Sequence, residues 1–234
     1  MIPGVVLAGG ASSRMGGRPK ALLPTGHGDE TFLTRIVATL REGGVDDVVV
    51  VAGYHQEAIG RAAALIAAPV RVLHNPAPER GQLSSLLVAL KAIDHPGVRA
   101  MLVTLVDLPL VSSATVRAVL EGYQRTGSPI VRPARDGLHG HPILFDRSLF
   151  DELRRADPER GAKPVVRAHA ADGLEVEIED EGAFADVDTP EDYERVFGMR
   201  LPAASEVSPT WVDSVSGARR PTGQARRRSK LGHL

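Results

Sequence analysis

Residues 4–20 read GVVLAGGASSRMGGRPK, a short apolar run followed by a segment rich in glycine and basic residues. The apolar residues 5–8 predict a strand, which Gly9 and Gly10 end. In an open α/β sheet, ligands bind beyond the carboxyl ends of the strands. The stretch therefore predicts an α/β fold whose binding site lies directly after the first strand.

The following residues alternate between apolar runs and helical patterns. Four consecutive valines at 48–51 are typical of a central strand that is covered on both faces. Apolar side chains recur at helical spacing over residues 32–40. Further helices are predicted at about 56–68 and 84–93, and further strands at 70–73 and 101–106. The alternation indicates βαβ units and a mostly parallel, twisted sheet in a three-layer α/β/α architecture.

Shorter elements are predicted in the second half of the chain. Ser112 or Ser113 can cap a helix that runs to about residue 124. Apolar and glutamate side chains alternate over residues 174–179, which indicates a one-sided strand at a sheet edge. The remaining predictions are strands at 130–131 and 143–145 around a loop at 136–142, and helices at about 148–155, 164–170 and 190–197.

The composition excludes several classes of protein. The chain has 234 residues and no cysteine, which excludes disulfide scaffolds, thiolate nucleophiles and cysteine-bound metals. Its apolar runs are far shorter than the roughly 20 residues of a membrane span, and its N-terminus lacks the features of a signal peptide. The net charge of −1 makes nucleic acid an improbable partner. We expect a cytoplasmic protein that does not bind membranes.

The charge is distributed unevenly along the chain. Residues 199–234 carry seven basic and two acidic side chains, a net charge of +5 against −6 for residues 1–198. The same segment is rich in Pro, Ser and Gly and has little apolar periodicity. We therefore predict a folded domain at 1–198 and a basic, disordered tail at 199–234. The tail either contacts nucleic acid or an acidic partner, or is simply solvated.

The segment after the first strand has the chemistry of a phosphate site. Gly9 and Gly10 let backbone N–H groups approach an anion closely, and Ser12 can donate a hydrogen bond. Arg14 and Lys20 can neutralise phosphate charge. The spacing fits neither the dinucleotide-binding fingerprint nor the Walker loop.

Carboxylates follow two of the later predicted strands. Asp107 ends the strand at 101–106, where a carboxylate suits Mg²⁺ bound together with substrate phosphates. Asp186 and Asp188 precede the last helix, and either could supply a second ligand while the other caps that helix.

The histidines offer no metal site or catalytic triad. His139 and His141 flank Gly140, but no third zinc ligand is near them in the sequence. Their loop either contacts substrate or forms a solvated turn, and the other histidines, His55 among them, are predicted at the surface. A Ser-His-Asp hydrolase is discounted because no Gly-x-Ser-x-Gly motif is present.

Together these residues resemble the nucleotidyltransferases of molybdenum cofactor biosynthesis, a MobA-like family within the glycosyltransferase-A-like superfamily. The signature Leu-Ala-(Ala/Gly)-Gly-x-Ser-x-Arg-Met-Gly stands at residues 7–16, followed by Lys20. Further matches, in the family's order, stand at 81–86, 107–109, 140–142 and 186–190. The resemblance covers roughly residues 4–198 and implies the Rossmann-like fold of that superfamily.

The resemblance implies transfer of a nucleoside monophosphate from an NTP to the terminal phosphate of molybdopterin, with release of pyrophosphate and with Mg²⁺ as cofactor. A molybdoenzyme or its chaperone would be a further partner. Each implied site residue can be assigned to one of four groups. These are a nucleotide site of Leu7, Ala8, Gly9, Gly10, Ser12, Ser84 and Ser85, phosphate-neutralising Arg14 and Lys20, metal ligands Asp107 and Asp188, and a pterin-facing Gly140 and His141.

Two motifs that carry the resemblance imply different nucleotide bases. The form Leu7-Ala8-Gly9-Gly10 resembles guanylyl-transferring members, whereas the segment 82–85 resembles cytidylyl-transferring ones. The larger set of downstream matches favours CTP. The alternatives are GTP, a sugar-phosphate or other small-phosphate acceptor, and a nucleotide-binding chaperone without catalysis.

Overall fold

A computed structural model describes residues 1–203, and the part of the predicted tail at 204–234 lies outside the described residues. An eight-stranded mixed sheet has the order β3-β2-β1-β4-β7-β5-β6, with β8 beside β5. The strands are β1 (Gly4–Ala8), β2 (Val48–Ala52), β3 (Val70–His74), β4 (Ala100–Leu105), β5 (Ile130–Arg135), β6 (Leu138–His139), β7 (Ile143–Asp146) and β8 (Leu174–Glu177). The helices are α1 (Phe32–Glu42), α2 (Gln56–Ala63), α3 (Gln82–Ile93), α4 (Ser113–Thr126), α5 (Phe150–Arg155), α6 (Lys163–Ala168) and α7 (Pro190–Phe197).

The sheet separates two apolar clusters, because successive side chains of a strand point to opposite faces. Val48 and Val50 of β2 pack in one cluster with α1, α4 and α7. Val49 and Val51 pack in the other cluster with α3 and α5. This arrangement confirms the three-layer α/β/α architecture and explains the unbroken valine run.

Parallel pairing dominates the half of the sheet that the first hundred residues form. Strands β1, β2, β3 and β4 pair in parallel, as the βαβ pattern predicts. Strand β7 then inserts antiparallel to β4 and β5, whereas β8 pairs in parallel with β5 at the predicted edge. Within the described residues, no helix is long and apolar enough to cross a membrane.

Several predicted elements differ in their bounds from the structure: the strand expected at 130–131 extends to Arg135, and the strand expected at 174–179 ends at Glu177. The helix expected at 56–68 ends at Ala63, where the N–H groups of Leu65 and Ile66 donate to carbonyl oxygens three residues back rather than four. The loop expected at 136–142 contains the short strand β6. Asp136 and Gly137 both have positive φ, 51° and 76°, which is the backbone of a two-residue hairpin turn.

The chain remains packed after the last helix. Gly198 ends α7 with φ of 65°, a left-handed conformation that favours glycine. Met199 and Leu201 nevertheless pack against the core, and the carbonyl oxygen of Pro202 accepts a hydrogen bond from Arg18 Nε at 2.7 Å. The first residues of the predicted tail therefore contact the domain.

Candidate functional site

A cleft of about 290 Å³ lies beyond the carboxyl ends of β1, β2 and β4. This is the edge of the sheet at which the sequence predicts the site. The structure brings most of the predicted residues to its wall: Leu7, Ala8, Gly9, Gly10, Ser12, Arg14, Lys20, Ser85, Asp107 and Asp188. Three predicted residues, Ser84, Gly140 and His141, are not among those that line it.

The glycine-rich loop is held in a fixed turn. The Ser12 carbonyl oxygen accepts hydrogen bonds from the backbone N–H groups of Met15 and Gly17, at 2.9 and 3.0 Å. Ser12 itself has a positive φ of 51°, and the fully buried Met15 side chain anchors the turn to the core. The loop therefore presents Ser12 and Arg14 to the cleft from a defined backbone.

Gly53, which the sequence analysis missed, lets the loops after β1 and β2 touch. A Cβ atom at Gly53 would lie only 2.4 Å from the Gly9 carbonyl oxygen and 3.0 Å from Gly9 Cα. No other residue type fits there without moving one of the loops. The available signal was a glycine directly after the valine strand. His55, predicted at the surface, is partly exposed and lines the cleft.

Lys20 joins the two carboxylates that the sequence analysis singles out. Its Nζ donates a hydrogen bond to Asp107 Oδ2 at 3.1 Å and a second one to Asp188 Oδ1. Arg14 donates to the other oxygen of Asp188. The Lys20 side chain is only 12% exposed, whereas that of Arg14 is 69% exposed. Lys20 is thus the inner cation of the cluster, and Arg14 is the outer one.

Backbone contacts bring the acidic segment at residues 180–188 close to the end of β4. The N–H of Val187 donates to the Asp107 carbonyl oxygen at 2.8 Å. Asp180 accepts hydrogen bonds from Gly182 N at 3.0 Å and from the first turn of α4. A Cβ atom at Gly182 would lie 2.1 Å from the Leu110 carbonyl oxygen, so this close approach requires glycine. Asp180 and Gly182 are positioning residues that the sequence analysis missed.

Asp186 and Asp188 differ in their environment. Burial raises the pKa of Asp186, and the nearby carboxylates of Asp107 and Asp188 raise it further. Burial also acts to raise the pKa of Asp188, but the hydrogen bonds and charges of Lys20 and Arg14 outweigh it and lower that pKa. Asp188, rather than Asp186, therefore shares a cation with Asp107.

Neither acidic residue caps the last helix, so that part of the prediction is wrong. Thr189 is the N-cap of α7, and it forms a reciprocal capping box with Asp192. Threonine followed three residues later by an acceptor side chain satisfies two free N–H groups at once. Asp188 instead pairs with Lys20 and Arg14, and Asp186 lies close enough to Asp107 and Asp188 to feel their charges.

The acidic cluster fits a divalent cation that is bound together with phosphates. Asp107 Oδ1 is buried and has no hydrogen-bond partner among the described residues. No group of three or more acidic or histidine side chains within residues 1–203 could hold a metal by itself. Mg²⁺ commonly takes one or two carboxylates and completes its shell with phosphate oxygens and water. Asp107 and Asp188 offer this kind of incomplete donor set.

The two predicted serines have different positions. Ser85 lines the cleft, and its hydroxyl oxygen accepts a hydrogen bond from Asn75 Nδ2 at 2.9 Å. Ser84 accepts from the same Nδ2 at 2.8 Å and donates to the Gly81 carbonyl oxygen at 2.7 Å. The Ser84 hydroxyl is therefore committed to protein partners.

The loop at 140–142 packs against the chain beside Asp107. A Cβ atom at Gly140 would lie 2.4 Å from the Ala183 carbonyl oxygen, and His141 N donates to that oxygen at 2.9 Å. His141 Nδ1 lies 3.3 Å from the Val103 carbonyl oxygen, to which it donates in the tautomer that carries a hydrogen on Nδ1. Burial lowers the pKa of His141, although Val103 and the Asp107 charge act in the opposite direction. His141 therefore lies near the Asp107 charge but is not among the residues that line the cleft.

Comparison with known proteins gives a family match and several relatives. A model of the MobA-like NTP transferase domain family matches residues 4–173. Nicotine blue oxidoreductase of Paenarthrobacter nicotinovorans is 30% identical over 207 residues, which cover 83% of this chain and 96% of that protein. A probable molybdenum cofactor guanylyltransferase of Mycobacterium avium (strain 104) is 28% identical over 193 residues, covering 82% of this chain and 92% of that protein.

A third relative is longer. The bifunctional IPC transferase and DIPP synthase of Rubrobacter xylanophilus is 34% identical over 216 residues, covering 80% of this chain and 49% of that protein. The chain thus spans about half the length of this relative. The names of the three relatives describe different activities, so what they share with this chain is the domain rather than one acceptor.

Solved structures share the fold. The crystal structure of Rv0371c from Mycobacterium tuberculosis H37Rv has a TM-score of 0.71 at 33% identity, covering 85% of this chain and 97% of that chain. A structure of the same protein in complex with manganese has a TM-score of 0.67 at 30% identity, covering 84% of this chain and 98% of that chain.

Proposed function

This chain belongs to the MobA-like NTP transferase domain family and is an enzyme of the nucleotidyltransferase type, and we propose that it transfers CMP from CTP to the terminal phosphate of molybdopterin. The observation that carries the proposal is the meeting of Lys20, Asp107 and Asp188 on a cleft whose other wall is the loop at 9–14. Cations, carboxylates and closely approaching backbone are the groups that a triphosphate and its metal require.

The proposed reaction needs no protein nucleophile. An oxygen of the acceptor's terminal phosphate attacks the α-phosphorus of the NTP, and the bond from that phosphorus to the bridging oxygen breaks. The electron pair leaves with pyrophosphate. Catalysis of such a transfer rests on positioning and on neutralisation of charge.

The charged residues would divide this work between them. Lys20 and Arg14 would neutralise the β- and γ-phosphates and the leaving pyrophosphate. Gly9, Gly10 and Ser12 would bind the nucleotide at the end of β1. Asp107 and Asp188 would hold Mg²⁺, which when bound supplies further positive charge to the phosphates.

GTP is a second candidate donor, supported by a specific observation. Gly9 leaves more room than an alanine would, and one of the relatives is named as a probable guanylyltransferase. A difference of one methyl group discriminates between substrates by only about 1–3 kcal/mol. We favour CTP because the larger set of downstream motif matches resembles cytidylyl-transferring members, and because Ser85 of that segment lines the cleft.

The test incubates the protein with each labelled NTP, Mg²⁺ and molybdopterin, and measures both pyrophosphate and the dinucleotide product. We expect Asp107→Asn to lower turnover by about 100-fold or more while the protein stays folded, since a charge that acts mainly in the transition state is lost. Asp151→Asn, which changes an exposed carboxylate on α5, is the matched control. Near wild-type release of pyrophosphate by folded Asp107→Asn would contradict the proposed metal site.

A further inference from the structure

Asn75, the residue after β3, is buried and has a fixed orientation. Its side chain is the hub of a small hydrogen-bond network and is itself only 1% exposed. The backbone N–H of Ala77 donates to Asn75 Oδ1 at 3.0 Å. Because a backbone N–H can only donate, the amide oxygen must face Ala77, and the NH₂ group must face Ser84 and Ser85.

This orientation determines whether the Ser85 hydroxyl accepts a hydrogen bond from Asn75 or donates one to it. Its oxygen already accepts from Asn75 Nδ2, at 2.9 Å. Its hydrogen has no acceptor among the described residues, whereas Ser84 donates to Gly81. Ser85 is 4% exposed and lines the cleft, so its hydrogen is left for a ligand acceptor.

We propose that Asn75 is a positioning residue that sets nucleobase preference by making Ser85 a hydrogen-bond donor toward the cleft. The inference rests on the proposed function and deepens it. The pairing edge of cytosine presents two acceptors and one donor, whereas that of guanine presents two donors and one acceptor. A donor on the wall therefore meets an acceptor at two of the three positions of the cytosine edge but at one of the three on guanine, where two donors would repel it, so it favours cytosine.

Gly9 fixes how closely this donor approaches the nucleotide loop. A Cβ atom at Gly9 would lie 2.7 Å from Ser85 Oγ, so the hydroxyl directly faces the loop that follows β1. The Ser85 hydroxyl thus lies between a buried amide and the proposed nucleotide site, and Asn75 reaches the ligand only through it.

The isosteric variant Asn75→Asp reverses the direction of the hydrogen bond between residue 75 and Ser85. A carboxylate still accepts from the Ala77 N–H, but its second oxygen has no hydrogen to give. Ser85 then donates to the carboxylate and presents its lone pairs to the cleft. We expect the ratio of kcat/KM for CTP over GTP to fall about tenfold or more, because one buried hydrogen bond changes direction.

The experiment measures kcat/KM and Kd for CTP and GTP in the full chain and in four variants. These are Asn75→Asp, Ser85→Ala, the double variant, and Gln124→Glu as a matched amide-to-carboxylate change at an exposed position of α4. Ser85→Ala alone should lower the preference for CTP. Asn75→Asp should then add less than a twofold change in the ratio, because Asn75 acts through Ser85.

Each outcome decides one question. An unchanged CTP-to-GTP ratio in folded Asn75→Asp overturns the inference and leaves the proposed function standing. An equal shift in the Ser85→Ala background also overturns it, since Asn75 would then act by another route. If Asn75→Asp does not fold, an unchanged ratio in Ser85→Ala alone overturns it. A wild-type protein that transfers neither nucleotide refutes the proposed function itself.

Discussion

Replacing Lys20 by methionine removes the cation that separates Asp107 from Asp188. The lysine side chain is 12% exposed, and the two carboxylates are 24% and 27% exposed. Methionine retains much of the aliphatic length but cannot donate a hydrogen bond. The carboxylates would then face each other and Asp186, with only the outer Arg14 to compensate.

The cost can be worked out from this geometry. Removing one partner of a fully buried ion pair destabilises a protein by about 3–5 kcal/mol. These carboxylates are partly solvated, so we expect a loss of about 1–3 kcal/mol in the free energy of unfolding. For a domain of this size, that corresponds to a decrease in Tm of roughly 2–12 °C.

A divalent cation should reverse the loss in the variant. Binding to the folded state alone stabilises by about 2.7 kcal/mol at one hundred times Kd. We therefore expect MnCl₂ to raise the Tm of nucleotide-free Lys20→Met relative to EDTA, by most of what the substitution removed. The wild-type Tm should change little, because Lys20 Nζ already occupies the position between the carboxylates.

Thermal unfolding in EDTA and in MnCl₂ is the assay, with Arg14→Met as the matched control. Arg14 is 69% exposed and, among the described residues, its side chain bonds to Asp188 alone, so its loss should cost under about 1 kcal/mol and create little response to metal. A Lys20→Met protein whose Tm equals that of the wild type in EDTA would refute the electrostatic reasoning. One that is destabilised but ignores Mn²⁺ would refute the pairing of Asp107 and Asp188 as metal ligands.

Three further predictions concern other parts of the molecule. Gly9→Ala should lower kcat/KM for CTP by about tenfold and that for GTP by less, because the new methyl group displaces the Ser85 hydroxyl at 2.7 Å, the donor that favours CTP; a loss for GTP alone would contradict this. Burial and Asp146 raise the pKa of Tyr123 to about 12, so the stability present below pH 10 is lost between pH 10 and 12. Denaturant titrations should show a shallower alkaline loss in Tyr123→Phe, by up to about 2.7 kcal/mol, and an unchanged slope would contradict the assignment. Truncation after Ala203 should leave Tm and activity nearly unchanged, whereas truncation after Gly198 should lower Tm because packed residues are removed; a large loss from the first truncation would show that the basic segment stabilises the domain.

The parallel half of the sheet could be predicted from the sequence because its signals are local. Residues 48–51 form a buried strand for the same reason that they are all valine, and residues 32–40 form a helix because their apolar side chains repeat at helical spacing. The loop after β1 could also be predicted from the sequence. Glycines that follow a strand, with Arg14 and Lys20 further along the same loop, favour close contact with an anion.

Other features depend on how distant segments meet. Strand β7 lies antiparallel between β4 and β5, which no periodicity within the segment 143–146 indicates. Asn75 and Gly53 carry no distinctive motif, yet one orients Ser85 and the other allows two loops to touch. Their importance arises from neighbours in space rather than from neighbours in the sequence.

The fold class, the edge of the sheet that carries the cleft, and the residue types that line it follow from local patterns of side chains. The sharing of Lys20 by Asp107 and Asp188, and not by Asp186, depends instead on contacts across separations of 87 and 168 residues. The physical reason is that secondary structure follows from side chains a few positions apart. The partner of a charged group, in contrast, is set by strand order, by the register of β4, and by the backbone contact that joins Val187 to Asp107.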